Sequence, residues 1–384
     1  MQKNTFRRTL LALGCATALS ANASGHLGFT QLDSYTEACA DESCAEISAY
    51  DSASSRVFVT NAEENQLRIL EISAGALNEI GFVDLSPFGG GPNSVAVSNG
   101  VVAVAIEADD KQANGTVELF DTDGVHLNSV AAGALPDMLT FTPDGNYLLV
   151  ANEGEPDDDY LVDPEGTVTV IDTDTWLPST ADFTAFNGAR LKNVRVFGPN
   201  ATVAQDLEPE YIAVSADSST AWVALQENNA LAKLDIATAT ITDVYGLGYK
   251  KHAQRNNAFD ASNEDGGVFI RPWPTLGMYQ PDAIASFQRD DATFILSANE
   301  GDARDYDGYS EEERVKDLVL DAGAFRDAAM LQAEDQLGRL KTTTANGDSD
   351  GDGDVDEIYS YGARSFSIWN SNGKKVYDSG SEFE

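Results

Sequence analysis

The sequence predicts an all-β fold, a β-propeller of about five recognisable blades with a helical insertion, and three observations lead there. The first is a repeat of short apolar strands joined by polar turns. Its copies run Glu46–Ile72, Asn93–Gly124, Pro136–Asp174, Pro209–Val244, and from Pro281 onward. The second is turn chemistry: "SNGV", "TPDGN" and "NSNGK" supply the Asn-Gly and Asp-Gly pairs that accept positive φ in tight hairpins. The third is spacing. Second strands end at Asn61, Glu107, Asn152, Gln226 and Asn299, at intervals of 46, 45, 74 and 73 residues. The shorter intervals match one propeller blade, and the longer ones call for insertions at roughly 175–207 and 246–278. A sandwich needs no common period, whereas radial repetition of a four-stranded unit does. Five copies describe a five-bladed ring or part of a larger one.

From the N-terminus, Lys3, Arg7 and Arg8 precede the apolar "TLLALGCATAL", and "ANA" follows, so a signal peptide is expected over 1–23. The segment 24–45 contains Cys39 and Cys44, two thiols that in an exported chain are expected to form a local disulfide. Zinc would need further ligands, and His26, His126 and His252 have no metal-type spacing. The propeller domain is expected over 46–384. Its fifth copy is split, with a third strand returning only in "RSFSIWNSNGKKVYDSG" at 364–380. Within the intervening insertion, 310–358, the stretch Ser310–Leu340 places Val315, Leu318, Ala329 and Leu337 at helical intervals. That periodicity predicts one or two helices capping a face.

Hydrophobic residues make up 42%, enough for a sizeable core. Lys and Arg number 24 against 63 Asp and Glu, a net charge of −39. Such a surface repels nucleic-acid phosphates and anionic lipids, and no stretch beyond the leader approaches a membrane span. Cations are the natural counter-species. Solubility in a salty medium would account for the total charge, but not for its clustering.

Second strands end in "NAEEN", "IEADD", "NEGEP", "QENNA" and "NEGDA". In a propeller, equivalent positions gather round one axis, so Glu63, Glu107, Glu153, Glu227 and Glu300 are expected at a shared rim with Asp302 beside them. First strands open with "PDM", "PEY" and "PDA", which puts Asp137, Glu210 and Asp282 at a second set of equivalent positions. Pro-Asp and Asn-Glu-Gly are also ordinary turn formers that a repeat would copy. As a set, convergent acids with few bases suit a hard cation with oxygen ligands, and calcium is the expected one. A separate calcium loop is expected in "DSDGDGDVDE". There Asp348, Asp350 and Asp352 stand at positions 1, 3 and 5, Gly353 at 6, Asp354 at 7 and Asp356 at 9. Position 12 is Tyr359 instead of the usual Glu, and a solvated acidic turn is the plainer alternative.

Nucleophilic catalysis finds little support, because no Gly-x-Ser-x-Gly elbow occurs and the His residues lack triad partners. Lys251 and His252 in "YKKHAQR", with Arg304 in "NEGDARDY", are candidate anion contacts for a phosphate-bearing small molecule. A charge-balancing loop explains the first two as well, and Asp302 and Asp305 are nearer partners for Arg304.

The strings "NEGEPDDDYLVDPEGTVTVID", "AQDLEPEYIAVS", "ANEGDARDYDGYSEEERVKDL" and "DGDGDVDEIYSYGARSFSIW" resemble the choice-of-anchor I domain family over most of the chain. These are exported β-propeller proteins, including mesenchyme-specific cell-surface glycoproteins and bacterial members labelled alkaline phosphatase. The resemblance implies a propeller at the cell surface or outside the cell, with calcium, and carries over no catalytic residue. The first functional expectation is a calcium-binding module associated with a surface component. The alternative is a calcium-dependent phosphoesterase of alkaline phosphatase-like or phytase-like kind, in which bound cations activate water. A third is an inert scaffold whose acids serve salt adaptation.

Overall fold

The structure is a computed structural model that describes residues 30–36 and 44–384. The signal peptide expected over 1–23, and Cys39 of the expected disulfide, lie outside these residues. Cys44 is buried.

Four successive stretches each fold into an antiparallel sheet whose strands pair in chain order. The first holds β1 (Ser48–Asp51), β2 (Arg56–Asn61), β3 (Gln66–Ser73) and β4 (Ala76–Asp84). The second holds β5 (Gly91–Ser98), β6 (Val101–Glu107), β7 (Asn114–Asp121) and β8 (His126–Ala134). The third holds β9 (Pro136–Phe141), β10 (Tyr147–Asn152), β11 (Thr167–Asp172) and β12 (Leu177–Asp182). After a one-turn helix α1 (Val203–Asp206) come β13 (Ile212–Val214), β14 (Thr220–Leu225), β15 (Ala230–Asp235) and β16 (Thr240–Gly246). The chain then forms β17 (Tyr249–Lys251) and β18 (Thr275–Met278), and starts a fifth sheet with β19 (Pro281–Arg289) and β20 (Ala292–Asn299). It leaves to make β21 (Glu312–Arg314), a short helix α2 (Ala328–Leu331), β22 (Lys341–Thr343) and β23 (Ile358–Ser360). It returns as β24 (Ser365–Asn370) and β25 (Lys375–Asp378), completing the order β19-β20-β24-β25.

In the first four sheets the second and third strands are largely buried on both faces, which is why "VVAVAI" and "YLLVAN" read as nearly unbroken apolar runs. Each sheet packs on the next. Phe58 and Leu67 of the first share a cluster with Val102 and Val104 of the second, and Leu149 of the third joins Val223 of the fourth. Trp222 of the fourth joins Trp369 of the fifth. The first strands are also neighbours in sequence: β1 lies beside β5, β5 beside β9, β9 beside β13, and β13 beside β19. Residues of β1, β5 and β9 share with Tyr211 one cavity of about 290 Å³. Among the described residues, no strand pairing joins the fifth sheet to the first.

Two expectations need correction. The insertion placed at 175–207 contains β12, a strand of the third sheet. Its residues Leu177–Thr180 are exposed, so this outer strand lacks the apolar run by which the inner ones are recognised. The helices expected over Ser310–Leu340 are largely absent, and α2 is a single turn. Val315, Leu318, Phe325, Leu331 and Leu337 instead pack against Phe259, Trp273 and Ile358 in one compact cluster. Backbone bonds there run between distant residues, Val315 N–H to Leu340 O at 3.1 Å and Lys316 N–H to Gly338 O at 3.1 Å. Burial from several sides reproduced helical spacing without a helix. The segments 246–278 and 310–358, read as separate insertions, meet in one mixed sheet, β17-β18-β23-β22-β21, with β18 and β23 parallel.

Candidate metal centre

The repeated Asn-Glu-Gly divides into three jobs. Asn152 and Asn299 end their strands buried and tie second strand to third. Asn152 donates Nδ2–H to Thr167 Oγ1 at 3.1 Å and Thr169 Oγ1 at 2.9 Å; Asn299 donates to Ser365 Oγ at 3.0 Å and Ser367 Oγ at 2.9 Å. Gly154 and Gly301 follow two residues later at φ +71° and +94°, a conformation that suits glycine. Between them stand Glu153 and Glu300, and the chain turns so that each lies among other acids.

The Pro-Asp positions are placed by irregularities in pairing. Asn152 pairs with Pro136 while Ala151 pairs with Met138, so Asp137 is the extra residue of a bulge. The fifth sheet shifts register between Pro281 and Ile284, around Asp282. A bulge re-aims a side chain that regular pleating would direct elsewhere. Glu210 lies just ahead of β13, and Glu227 just beyond β14.

These placements assemble one acidic tract. Burial first, then the charges of Asp282 and Glu155, push the Asp137 carboxyl up to about 7. Burial, Glu155 and Asp137 raise Glu153 well above the usual carboxylate range. Glu210 is raised likewise, by burial and then by Glu227. Glu155 is lifted by burial and Glu227, Glu300 by burial and Asp282, and Asp302 chiefly by burial. Glu153, Glu210 and Glu227 each bring one carboxylate oxygen to within 4.8 Å of the others. Glu210 and Glu227 are each only 7% exposed, and Glu210 Oε1 and Glu227 Oε2 are buried with no hydrogen-bond partner among the described residues. Buried charged oxygens without partners cost several kcal/mol each unless protonated or bound to a cation. The donor set is all oxygen, with no imidazole or thiolate, which fits a hard divalent ion.

On one side the tract is closed by two buried arginines. Arg304 pairs with Asp206 and Glu208; its Nη2 lies 2.8 Å from Glu208 Oε2 and donates to Asp206 O at 2.7 Å. Arg195 pairs with Glu311 and donates Nη1–H to Glu227 O at 2.6 Å. The guanidinium carbons lie 4.7 Å (Arg304) and 4.1 Å (Arg195) from the Phe197 ring centre. Of the candidate anion contacts, Arg304 is therefore held by carboxylates inside the protein. His252 is buried against Phe259 with Nδ1 bonded to Asn257 O at 2.7 Å, and burial pulls it down to about 4. Lys251 is exposed on β17. Glu155 and Glu208 belong to the tract but escaped the sequence reading. Each stands two residues from an acid that was singled out, Glu153 and Glu210, and that proximity was the available signal.

The Asp348–Glu357 loop is exposed and folds on its own carboxylates. Asp348 accepts from Gly351 N–H at 2.6 Å and Gly353 N–H at 3.0 Å, while Asp356 accepts from Ser349 N–H at 2.8 Å. Oxygens of Asp348, Asp350 and Asp356 gather within 4.8 Å, as do those of Asp321, Asp354 and Asp356. Asp352 belongs to neither group, and Asp321 enters from outside the motif. The charge of Asp352 is the main cause raising Asp350, whereas hydrogen bonds from Ser349 lower Asp356.

No helix among the described residues is long and apolar enough to cross a membrane. A comparison with curated proteins finds no match. Among solved structures, a chain of Kuenenia stuttgartiensis hydrazine synthase is similar at 12% identity and TM-score 0.34, covering 66% of this chain and 80% of that one. The model of the choice-of-anchor I domain matches residues 46–384. The chain belongs to the choice-of-anchor I domain family.

Proposed function

We propose that the chain is an exported β-propeller domain that binds calcium in the acidic tract and serves as a surface-associated or extracellular binding module. The observation that carries the metal site is the pair of buried, partnerless oxygens on Glu210 and Glu227, facing Glu153. The radial arrangement is supported by the neighbouring first strands and by the cavity they share with Tyr211. Asp137, Asp282, Glu300 and Asp302 extend the same tract and would supply further oxygens. Calcium is preferred over magnesium because it accepts larger, less regular oxygen sets. The loop carrying Asp348, Asp350, Asp352, Asp354 and Asp356 is a second calcium candidate, weaker because Asp348, Asp350 and Asp352 are exposed, although Asp354 Oδ1 is buried. The phosphoesterase alternative draws no support from Arg304, which Asp206 and Glu208 already engage.

Isothermal titration of the mature protein with calcium and with magnesium tests this reading. Calcium uptake is expected, with an affinity loss of about tenfold or more in Glu227→Gln, which keeps the shape and removes one charge. Unchanged uptake in Glu227→Gln, or none at millimolar calcium, would reject the site.

A further inference from the structure

We propose that the cleft lined by the β21–β22 edge of the mixed sheet, the loop after β20 and the segment 260–263 binds a small polyanion, a molecule carrying two or more carboxylate or phosphate groups. The cleft encloses about 620 Å³, the size of a small-molecule site. Lys and Arg make up 24 of 384 residues, one in sixteen, yet they supply four of the fourteen residues lining this cleft. The four are Arg314, Arg339, Lys341 and Arg364, set against three acids, in a chain whose acids outnumber its bases 63 to 24.

The way these bases are placed points to a ligand. Arg314 of β21 and Lys341 of β22 are directly paired across an antiparallel ladder. Like charges in that position repel, and a sequence so rich in carboxylates had every means of putting an acid there. Lys341 has a partial counter-charge in Glu312, Nζ to Oε2 at 2.6 Å. Arg314 has no carboxylate within 4 Å of its guanidinium among the described residues; its Nη1 donates to Arg339 O at 3.2 Å, and its charge acts only at longer range on Glu334. Arg339 reaches Asn263 Oδ1 at 2.5 Å and Glu264 only at 4.0 Å. Arg364, just ahead of β24, also lines the cleft and is held by Glu384, Nη2–H to Oε2 at 3.0 Å. Two guanidinium forks lacking a close acid, with a lysine beside them and a fixed arginine from the residue ahead of β24, suit several anionic groups on one ligand better than a single ion. Tyr361 and Ser262 also line the cleft, their hydroxyls donating to Thr342 O at 3.3 Å and Glu334 O at 2.5 Å. Asp302 stands in the wall as well, which sets the cleft beside the acidic tract without sharing its three central glutamates.

The site does not depend on calcium, so it is tested in its absence. The mature protein, stripped of divalent ions and dialysed free of chelator, is titrated calorimetrically with citrate, with pyrophosphate, and with sorbitol as an uncharged control. At least one of the two anions is expected to bind and sorbitol is not; which anion binds assigns carboxylate or phosphate chemistry. Arg314→Gln with Arg339→Gln is expected to weaken that binding by about tenfold or more, with unchanged thermal midpoint, and Arg314→Lys to recover part of it. No binding of either anion at millimolar concentration, or undiminished binding in the double variant, overturns the proposal and leaves the calcium reading untouched. Should the double variant be misfolded, Arg339→Gln alone is read by the same criterion.

Discussion

Arg304 sits at the point where the acids of the tract meet a fixed positive charge. Its guanidinium serves Asp206, Glu208 and the Asp206 carbonyl together, and is almost wholly buried. Replacing it with methionine keeps much of the volume and strands two interior carboxylates. Arg304→Met is expected to cost about 3–5 kcal/mol in urea unfolding, more than an average core substitution. A loss under about 1 kcal/mol would mean that the two acids are protonated in the native protein and need no partner. At this scale the sequence was informative where residues repeat and silent where they do not. Two copies of Asn-Glu-Gly announced a shared device, but not that Asn clamps strands, Gly turns the chain and Glu alone faces the tract. Arg195, paired with Glu311 far along the chain, left no local signal at all.

Among elements, the loop after β20 is held by a backbone crossing. Gly301 and Gly362 press against one another, both with positive φ, and a Cβ on Gly362 would collide with Glu300 O. Gly362→Ala is therefore expected to destabilise the protein by about 2 kcal/mol or more, seen as a lowered thermal midpoint. An unchanged midpoint would show that the crossing relaxes without penalty. Inner strands were legible because burial on both faces writes continuous apolar runs, and their ends at Asn61, Glu107, Asn152 and Asn299 coincide with the repeat. Outer strands such as β12 were not, since one face meets water and the other packs lightly. The apolar spacing of 310–340 misled for the opposite reason: those residues are buried, but in a knot of turns around Trp273 and Phe259.

Over the whole molecule, the tract ties stability to pH and to calcium together. Asp137 is raised to about 7, with Glu153 and Glu210 raised as well. A carboxyl raised in the folded state keeps a proton that the unfolded chain has already released. Its contribution is thus fully present below the ordinary carboxylate value and is lost as pH climbs from about 4 to about 7. On the proposed reading, calcium would bind the deprotonated tract and restore stability at the upper end of that window. His252 acts in the opposite sense, its neutral buried ring losing stability as pH falls from about 6.5 to about 4, but it does so with or without calcium. The difference in thermal midpoint between calcium-loaded and metal-free protein should therefore widen by about 3 °C or more from pH 5 to pH 8. A constant difference would separate the acids from the metal.

The split fifth sheet has a consequence for how the protein is made. Sheets one to four draw their strands from contiguous stretches, and each can form soon after its last residue leaves the ribosome. Asn299 finds its partner Ser365 only 66 residues later, and β21, β22 and β23 of the mixed sheet are made in between. During synthesis β20 therefore waits with one edge open, exposed to mispairing until β24 emerges.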